Sequence, residues 1–293
     1  MKKLQVLVLI FFIIVAAIFS FTRVKEYITS DFTPPVITAE YDSLRVSVDA
    51  TEEDLLAGIT AYDNLDGDVT DTLVVASKSK FVSTGTLRVN YAAFDRNNNV
   101  ATYSRSVTFT DYHHPRVRMT QPLRFVNGNS NYDYLRSITV DDCLDGNITQ
   151  QVKVTFGDTE SVSNTASRQK VNLQVTNSAG DSSVLELWAS FEDYSEYSQL
   201  TPALSDYIIY VQPGERPNYR SLLTGVWSAG NVRSFSDSGF HAEDDVRISD
   251  GGVNYSTPGV YSVSYQLSRE TADGADRTAL GTATLIVVVE DKA

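Results

Sequence analysis

Two patterns of apolar residues divide this chain. The first is a continuous run, Leu4 to Phe21, with no charged residue among its 18 positions. At 1.5 Å per residue a helix of that length spans about 27 Å, close to the apolar thickness of a bilayer. The second pattern is strict alternation. Leu87, Val89, Tyr91 and Ala93 are interleaved with Arg88, Asn90 and Ala92, which predicts a strand with one buried face. Asp95-Arg96-Asn97-Asn98-Asn99 follows as a turn, because Asn and Asp tolerate left-handed dihedrals and bond their own backbone. Ala101, Tyr103, Val107 and Phe109 then predict the return strand. Shorter strands are expected at Val36–Thr38, Leu44–Val48, Ile59–Tyr62 and Leu73–Val75, with one capped helical turn at Thr51–Leu56. No helix-period segments alternate with these strands, so a parallel α/β sheet is not expected.

The pattern repeats. Leu65-Asp66-Gly67-Asp68-Val69-Thr70 returns as Leu144-Asp145-Gly146-Asn147-Ile148-Thr149, at an offset of 79. Val171, Leu173 and Val175 match Val89, Tyr91 and Ala93 at an offset of 82, so a small net insertion separates loop from hairpin. Tyr261, Val263, Tyr265 and Leu267 match the same hairpin strand at an offset of 174. The third copy lacks Leu-Asp-Gly, and Asp244-Asp245-Val246 is the expected remnant of the loop. The organisation read from these offsets is an anchor and linker over 1–30, then modules at 31–112, 113–193 and 194–293, the last divergent. Thr22–Asp31 reads as a polar linker and Phe191–Thr201 as a hinge. The fold class is all-β, three tandem β-sandwiches after one N-terminal transmembrane helix, with a barrel as the alternative.

The order Pro-Pro-Val-Ile (34–37), Tyr-Asp-Asn-Leu-Asp-Gly-Asp-Val-Thr (62–70), Ser-Thr-Gly (83–85) and Asp-Arg-Asn-Asn-Asn-Val-Ala (95–101) resembles a known family. It is the bacterial immunoglobulin-like domain first noted in a pesticidal crystal protein and common as tandem copies in Gram-positive surface proteins. The resemblance covers residues 33–110 and the C-terminal half of 200–291 well, and 115–193 more loosely. It implies an immunoglobulin-like sandwich used for display, spacing or adhesion. It implies no catalytic residues.

Charge narrows the partners. The formal net charge is −13, and residues 31–293 carry 20 basic against 36 acidic side chains. Such a surface repels phosphate backbones, so nucleic acid is not an expected partner. Lys2 and Lys3 before the apolar run favour an inside N-terminus and place the acidic modules outside a cell membrane. A single-pass signal anchor is the expected reading; a cleaved signal peptide, whose apolar region is usually shorter, is its rival. No cysteine follows the run to accept a lipid, and Val289–Ala293 carries no sorting motif, so the N-terminal helix is the expected anchor. Cys143 is the one cysteine, which excludes an intramolecular disulfide.

Candidate chemistry is sparse. Asp63, Asp66 and Asp68 place three carboxylates within six residues, a candidate calcium loop, whereas Asp142, Asp145 and Asn147 in the second copy carry one charge fewer. The competing reading is that these side chains cap backbone N–H groups in a tight turn, with Gly67 and Gly146 at positive φ. His113-His114-Pro115 reads as a solvated linker, and no nucleophile elbow or triad pattern occurs. Tyr194, Tyr197 and Tyr219, out of phase with the strands, are candidates for an exposed face that binds sugar or protein, with core packing the usual role of such aromatics; Trp227, at the start of the divergent stretch, is a candidate for a partner-specific surface or else a buried aromatic. The expected function is therefore non-catalytic: adhesion or spacing at the cell surface, with an accessory subunit of an envelope complex as the alternative and a carbohydrate-active enzyme behind both. The expected partners are the membrane, through the N-terminal helix, and a protein or glycan ligand.

Overall fold

The computed structural model describes residues 2–29, 31–128, 131–271 and 276–291. Met1, Ser30, Lys292 and Ala293, which fall in the expected anchor, linker and tail, lie outside the described residues. Helix α1 (Lys2–Thr29) runs well past the apolar stretch. The segment after Phe21 was expected to be linker, but up to Thr29 it holds no Pro or Gly, and extending a helix costs far less than starting one. Thr33-Pro34-Pro35 then begins an extended segment that enters the first strand. The segment Leu4–Lys25 has a mean hydropathy of 2.9, and none of its apolar window is buried by the rest of the chain.

The β portion forms three pairs of sheets. The first pair contains β1 (Val36–Ala39), β2 (Ser43–Val46), β3 (Ile59–Asp63), β4 (Gly67–Asp68), β5 (Val74–Ser83), β6 (Thr86–Phe94) and β7 (Val100–Phe109), with a helical turn α2 (Glu52–Leu56) between β2 and β3. The second contains β8 (Arg116–Met119), β9 (Arg124–Val126), β10 (Ile138–Asp142), β11 (Gly146–Asn147), β12 (Lys153–Ser161), β13 (Ser167–Thr176) and β14 (Ser182–Glu192). After one further helical turn, α3 (Tyr194–Tyr197), the third contains β15 (Thr201–Leu204), β16 (Ile208–Val211), β17 (Leu223–Ser228), β18 (Asn231–Ser234), β19 (Val246–Ser249), β20 (Gly259–Glu270) and β21 (Arg277–Val289). Helical turns α4 (Phe235–Ser238) and α5 (Ala242–Asp245) lie between β18 and β19.

The three pairs share one topology. Each has a sheet of three strands, ordered β1-β3-β4, β8-β10-β11 and β15-β17-β18. Each has a sheet of four, ordered β2-β7-β6-β5, β9-β14-β13-β12 and β16-β21-β20-β19. The opening strand of each module is split between the sheets. Its first part pairs antiparallel in the small sheet, and its second part pairs parallel with the last strand of the large one. This crossing closes both sheets over a common core and defines tandem β-sandwiches. The long hairpins match the alternation: Leu87, Val89, Tyr91 and Ala93 are buried, as are Val171, Leu173 and Val175. Asn98 takes φ 65° in the β6–β7 turn, the left-handed position that Gly180 fills in the β13–β14 turn.

The chain divides into two compact units, Met1–Phe109 and Thr110–Ala293. In the first, Arg105 is the largest fully buried side chain among the described residues, at 1% exposure. It lies in phase with the apolar residues of β7, at a position taken by Leu187 in β14 and Leu285 in β21, according to the strand registers. The Thr51–Asp54 capping box closes the start of α2, which leaves the carbonyls at its end for Arg105. At its end the Arg105 Nη2 donates to the carbonyls of Leu55 (2.7 Å) and Ala57 (2.9 Å). Nε donates to the Tyr91 hydroxyl at 3.1 Å. The second module has no helix between β9 and β10 among its described residues. There Phe125, Tyr132, Tyr134 and Phe191 pack together, with ring centroids 4.9 to 6.5 Å apart.

In the second unit one apolar cluster runs from Val117 in β8 to Val289 in β21. The two sandwiches within it are therefore packed on each other, not merely strung together. The Tyr207 N–H donates to the Met119 carbonyl (2.8 Å), and the Val117 N–H donates to the Tyr210 hydroxyl (2.7 Å). Arg116 grips Glu290 with both Nε (2.8 Å) and Nη2 (2.6 Å).

Replacing Arg105 by Ala leaves two carbonyls and a phenol without their donor, which costs roughly 2–4 kcal/mol. Both tryptophans, Trp188 and Trp227, lie in the second unit. The R105A loss should therefore appear in the circular-dichroism unfolding curve and leave the tryptophan-fluorescence transition in place. In the second unit, burial pushes the Tyr210 phenol up to about 12 and also raises Tyr207, Tyr219, Tyr255 and Tyr265. An unfolded phenol ionises near pH 10. The stability these groups contribute is thus full below about pH 10 and is lost as pH rises through the folded values. Tryptophan fluorescence should report loosening of the second unit between about pH 10 and 12, with a shallower slope in Y210F.

Candidate functional site

The repeated loop forms where the small sheet turns back on itself. Asp63 ends β3 and is 1% exposed. Its Oδ1 accepts the N–H groups of Leu65 (2.8 Å) and Asp66 (2.9 Å), which closes the turn, and Gly67 takes φ 77°. Those two bonds, from Asp66 and then Leu65, hold the Asp63 carboxyl below the usual carboxylate range. Asp142 does the same in the second module, accepting from Leu144 and Asp145 at 2.9 Å each, with Gly146 at φ 69°. The turn-capping reading thus describes the Oδ1 atoms of both loops.

Asp63, Asp66 and Asp68 are not gathered round a common point. Asp66 turns to the β6–β7 turn, where its Oδ2 accepts the Arg96 N–H at 2.8 Å. Asp68 Oδ1 accepts the Thr70 N–H at 3.0 Å. The group assembled around Asp63 instead contains Asp31 and Asp95, with carboxylate oxygens within 4.8 Å of one another. Asp95 opens the β6–β7 turn, where its Oδ1 accepts the Asn99 N–H at 2.7 Å and its Oδ2 the Asn99 side-chain amide at 2.6 Å. Asp31 reaches the same turn because its main-chain carbonyl accepts from the side-chain amides of Asn97 (3.2 Å) and Asn99 (3.0 Å). Sequence spacing does not show this trio, since its members come from three separate segments of the module. The signal that did exist was the recurrence of an Asp or Asn at the head of the hairpin turn in the first two copies.

In the second module the corresponding corner is closed by hydrogen bonds. Asn177, at the position of Asp95, donates through Nδ2 to Asp142 Oδ2 (3.0 Å) and to the Tyr112 hydroxyl (3.0 Å). Asp181 accepts from Tyr112 (2.5 Å) and lies 2.6 Å from His114 Nδ1. The His113-His114 segment is thus docked on the turn and is not the solvated linker its composition suggested. Cys143 is half-buried and its Sγ donates to the His113 carbonyl at 3.4 Å; burial pushes its thiol up, away from reactivity.

The third module has no such corner among its described residues. Strand register aligns Ser228 with Asp63 and Asp142, so the loop's counterpart is the tight β17–β18 turn at Ala229-Gly230, with φ 48° and 85°. Asp244-Asp245 belongs to α5 instead, where Asp245 pairs with Arg277.

Of the proposed aromatic face, only Tyr194 is strongly exposed. Tyr219 is buried, and its hydroxyl is bonded to that of Tyr255 at 2.6 Å. Trp227 is buried edge-on against Tyr197, with ring centroids 5.1 Å apart. These residues do not form an outward surface, because β17 turns Trp227 toward the α3 corner and Tyr219 packs into the module's core. Arg124 lies 4.6 Å over the Trp227 ring and 5.7 Å from that of Tyr197. It also binds Glu192 through Nε and Nη2, and donates to the Glu196 carbonyl at 3.0 Å. The segment expected to be a hinge is therefore clamped at Glu192 and Glu196. A groove of about 920 Å³ opens beside it, lined by Arg124, Arg168, Glu186, Trp188, Tyr261 and Thr284 among others.

No family model matches the chain, and no curated protein matches it. Solved structures do. The CBM51-2 domain in complex with GlcNAc, with the INT domains, of Clostridium perfringens ZmpB is 17% identical, over 53% of this chain and 41% of that one, at a TM-score of 0.22. Protocadherin gammaB7 EC3-6 is 12% identical over 89% of this chain and 74% of that one, at 0.21. A lipoprotein from Bacteroides thetaiotaomicron is 10% identical over 80% and 92%, at 0.20. This chain spans less than half of the first of these structures. Superpositions this loose carry no argument about what the chain binds; the assignment to tandem β-sandwiches rests on its own sheets.

The Arg124 corner makes a direct prediction. Both Arg124 and Glu192 are largely withdrawn from water, and removing one partner of such a pair costs about 3–5 kcal/mol. R124A should lower the unfolding midpoint of the second unit and shift Trp227 emission to the red, while the first unit melts as before.

Proposed function

We propose that this chain is a single-pass membrane protein that presents its sandwiches outside the cell for adhesion or spacing, without catalysis. The carrying observation is the combination of three sandwiches of one topology with a 28-residue helix whose apolar stretch is not buried by the rest of the chain. Leu7, Phe11, Ile14 and Ile18 on that helix are all exposed, a surface suited to lipid and unsuited to water. Buried interiors filled by Val, Leu and Tyr suit spacing, which the family resemblance also implies. The acidic surface of residues 31–293 suits a soluble exterior portion.

The second reading, docking of a membrane-complex partner, is favoured by one feature of the first module. Val36 and Tyr62 are direct cross-strand neighbours, and Leu65 stands in the loop just beyond them. All three are exposed, at 66%, 64% and 70%. An outward apolar group of this kind suits a protein partner.

Fractionation and topology mapping test the main reading. The chain should stay with membranes after carbonate washing, and protease added to intact cells should remove residues 31–293. Release by carbonate, or protection from external protease, would refute it. Stoichiometric co-purification of one membrane protein, abolished by Tyr62→Ser, would favour the docking reading.

A further inference from the structure

We propose that Asp31, Asp63 and Asp95 bind one calcium ion, which fastens the segment that follows the apolar helix onto the first sandwich. Their carboxylate oxygens lie within 4.8 Å of one another. Oxygens on opposite sides of a calcium ion are about 5 Å apart, given Ca–O distances of about 2.3–2.6 Å. Asp63 is 1% exposed and Asp95 6%. The Oδ2 atoms of Asp31 and Asp63 are buried and accept no hydrogen bond. Among the described residues, no lysine, arginine or histidine forms an ion pair with any of the three. A buried carboxylate oxygen without a partner is costly, and three carboxylates at one point repel each other. A divalent cation answers both demands.

The second module acts as an internal control. Asp142 repeats the geometry of Asp63 bond for bond at Oδ1, but its Oδ2 accepts from Asn177. The residue that aligns with Asn177 in the first module is Asp95, whose carboxylate has no N–H to give. One copy therefore fills the corner with an amide, and the other leaves a carboxylate there. Asn97 and Asn99 hold the Asp31 main chain on the turn, so its carboxylate is delivered from the segment just beyond α1. The three carboxylates supply part of the six to eight oxygens calcium takes, and water or carbonyl oxygens supply the rest. Sites of this kind in extracellular modules bind at about 10⁻⁴–10⁻³ M.

The test uses the full chain in detergent micelles, stripped with a chelator and titrated with calcium chloride. Calorimetry should show one ion bound with Kd below about 1 mM. At about 10 mM calcium the first unit should melt at least about 5 °C higher by circular dichroism, with the Trp188 and Trp227 fluorescence transition unmoved. D95N copies the second module's solution. It should fold, melt no lower than the wild type without calcium, and lose the calcium response. D31N provides a second variant outside the sandwich core and should also lose it. No calcium heat and no melting shift in the wild type would overturn the proposal; so would an undiminished response in both variants.

Discussion

A carboxylate buried at the end of a strand needs partners for both of its oxygens, and that demand sorts the three modules. Asp63 and Asp142 each spend Oδ1 on two loop N–H groups, which makes the Leu-Asp-Gly turn. The second oxygen decides what else must come to the corner. In the second module it draws in Asn177, and through Asn177 the Tyr112–Asp181–His114 group that seats the segment leading into that module. In the first it has no hydrogen-bond partner, and the carboxylates of Asp31 and Asp95 lie close to that of Asp63. In the third the aspartate is replaced by Ser228, the demand vanishes, and a two-residue turn suffices.

The sandwiches also differ in how they join: the third packs its edge on the second. Tyr210, Asp206 and Glu290 meet Val117, Arg118 and Arg116, and the two cores merge into one cluster. Arg124, Glu192 and Trp227 close the same joint near the α3 turn. The second and third sandwiches thus share one core, whereas the first belongs to the other compact unit.

Much of the fold was legible from local pattern. Period-2 alternation placed the long hairpins because one face of each strand is buried whatever surrounds it. The left-handed turn positions of Gly67, Gly146 and the Asp95–Asn99 turn were legible for the same kind of reason, since tight turns admit few residues. Arg105 is not legible in this way, because a charged residue in an alternating strand reads as surface and its partners, Leu55 and Ala57, are remote from it in the chain. The loop of the third module was sought at Asp244-Asp245 by composition, whereas register puts it at Ser228. Tyr219 reads as a surface candidate and Trp227 as either surface or buried, because aromatic spacing does not say which face of a module its neighbour will cover; both are buried.

Short-range periodicity and the steric limits of the backbone were enough for the number of sandwiches, for most of their strands and turns, and for the apolar helix. It took the folded chain to bring Asp31 and Asp95 to Asp63, to bury Arg105 against the end of α2, and to merge the second and third cores. Those outcomes join groups from distant positions. Their energies come from desolvation and pairing, which no local window of residues contains.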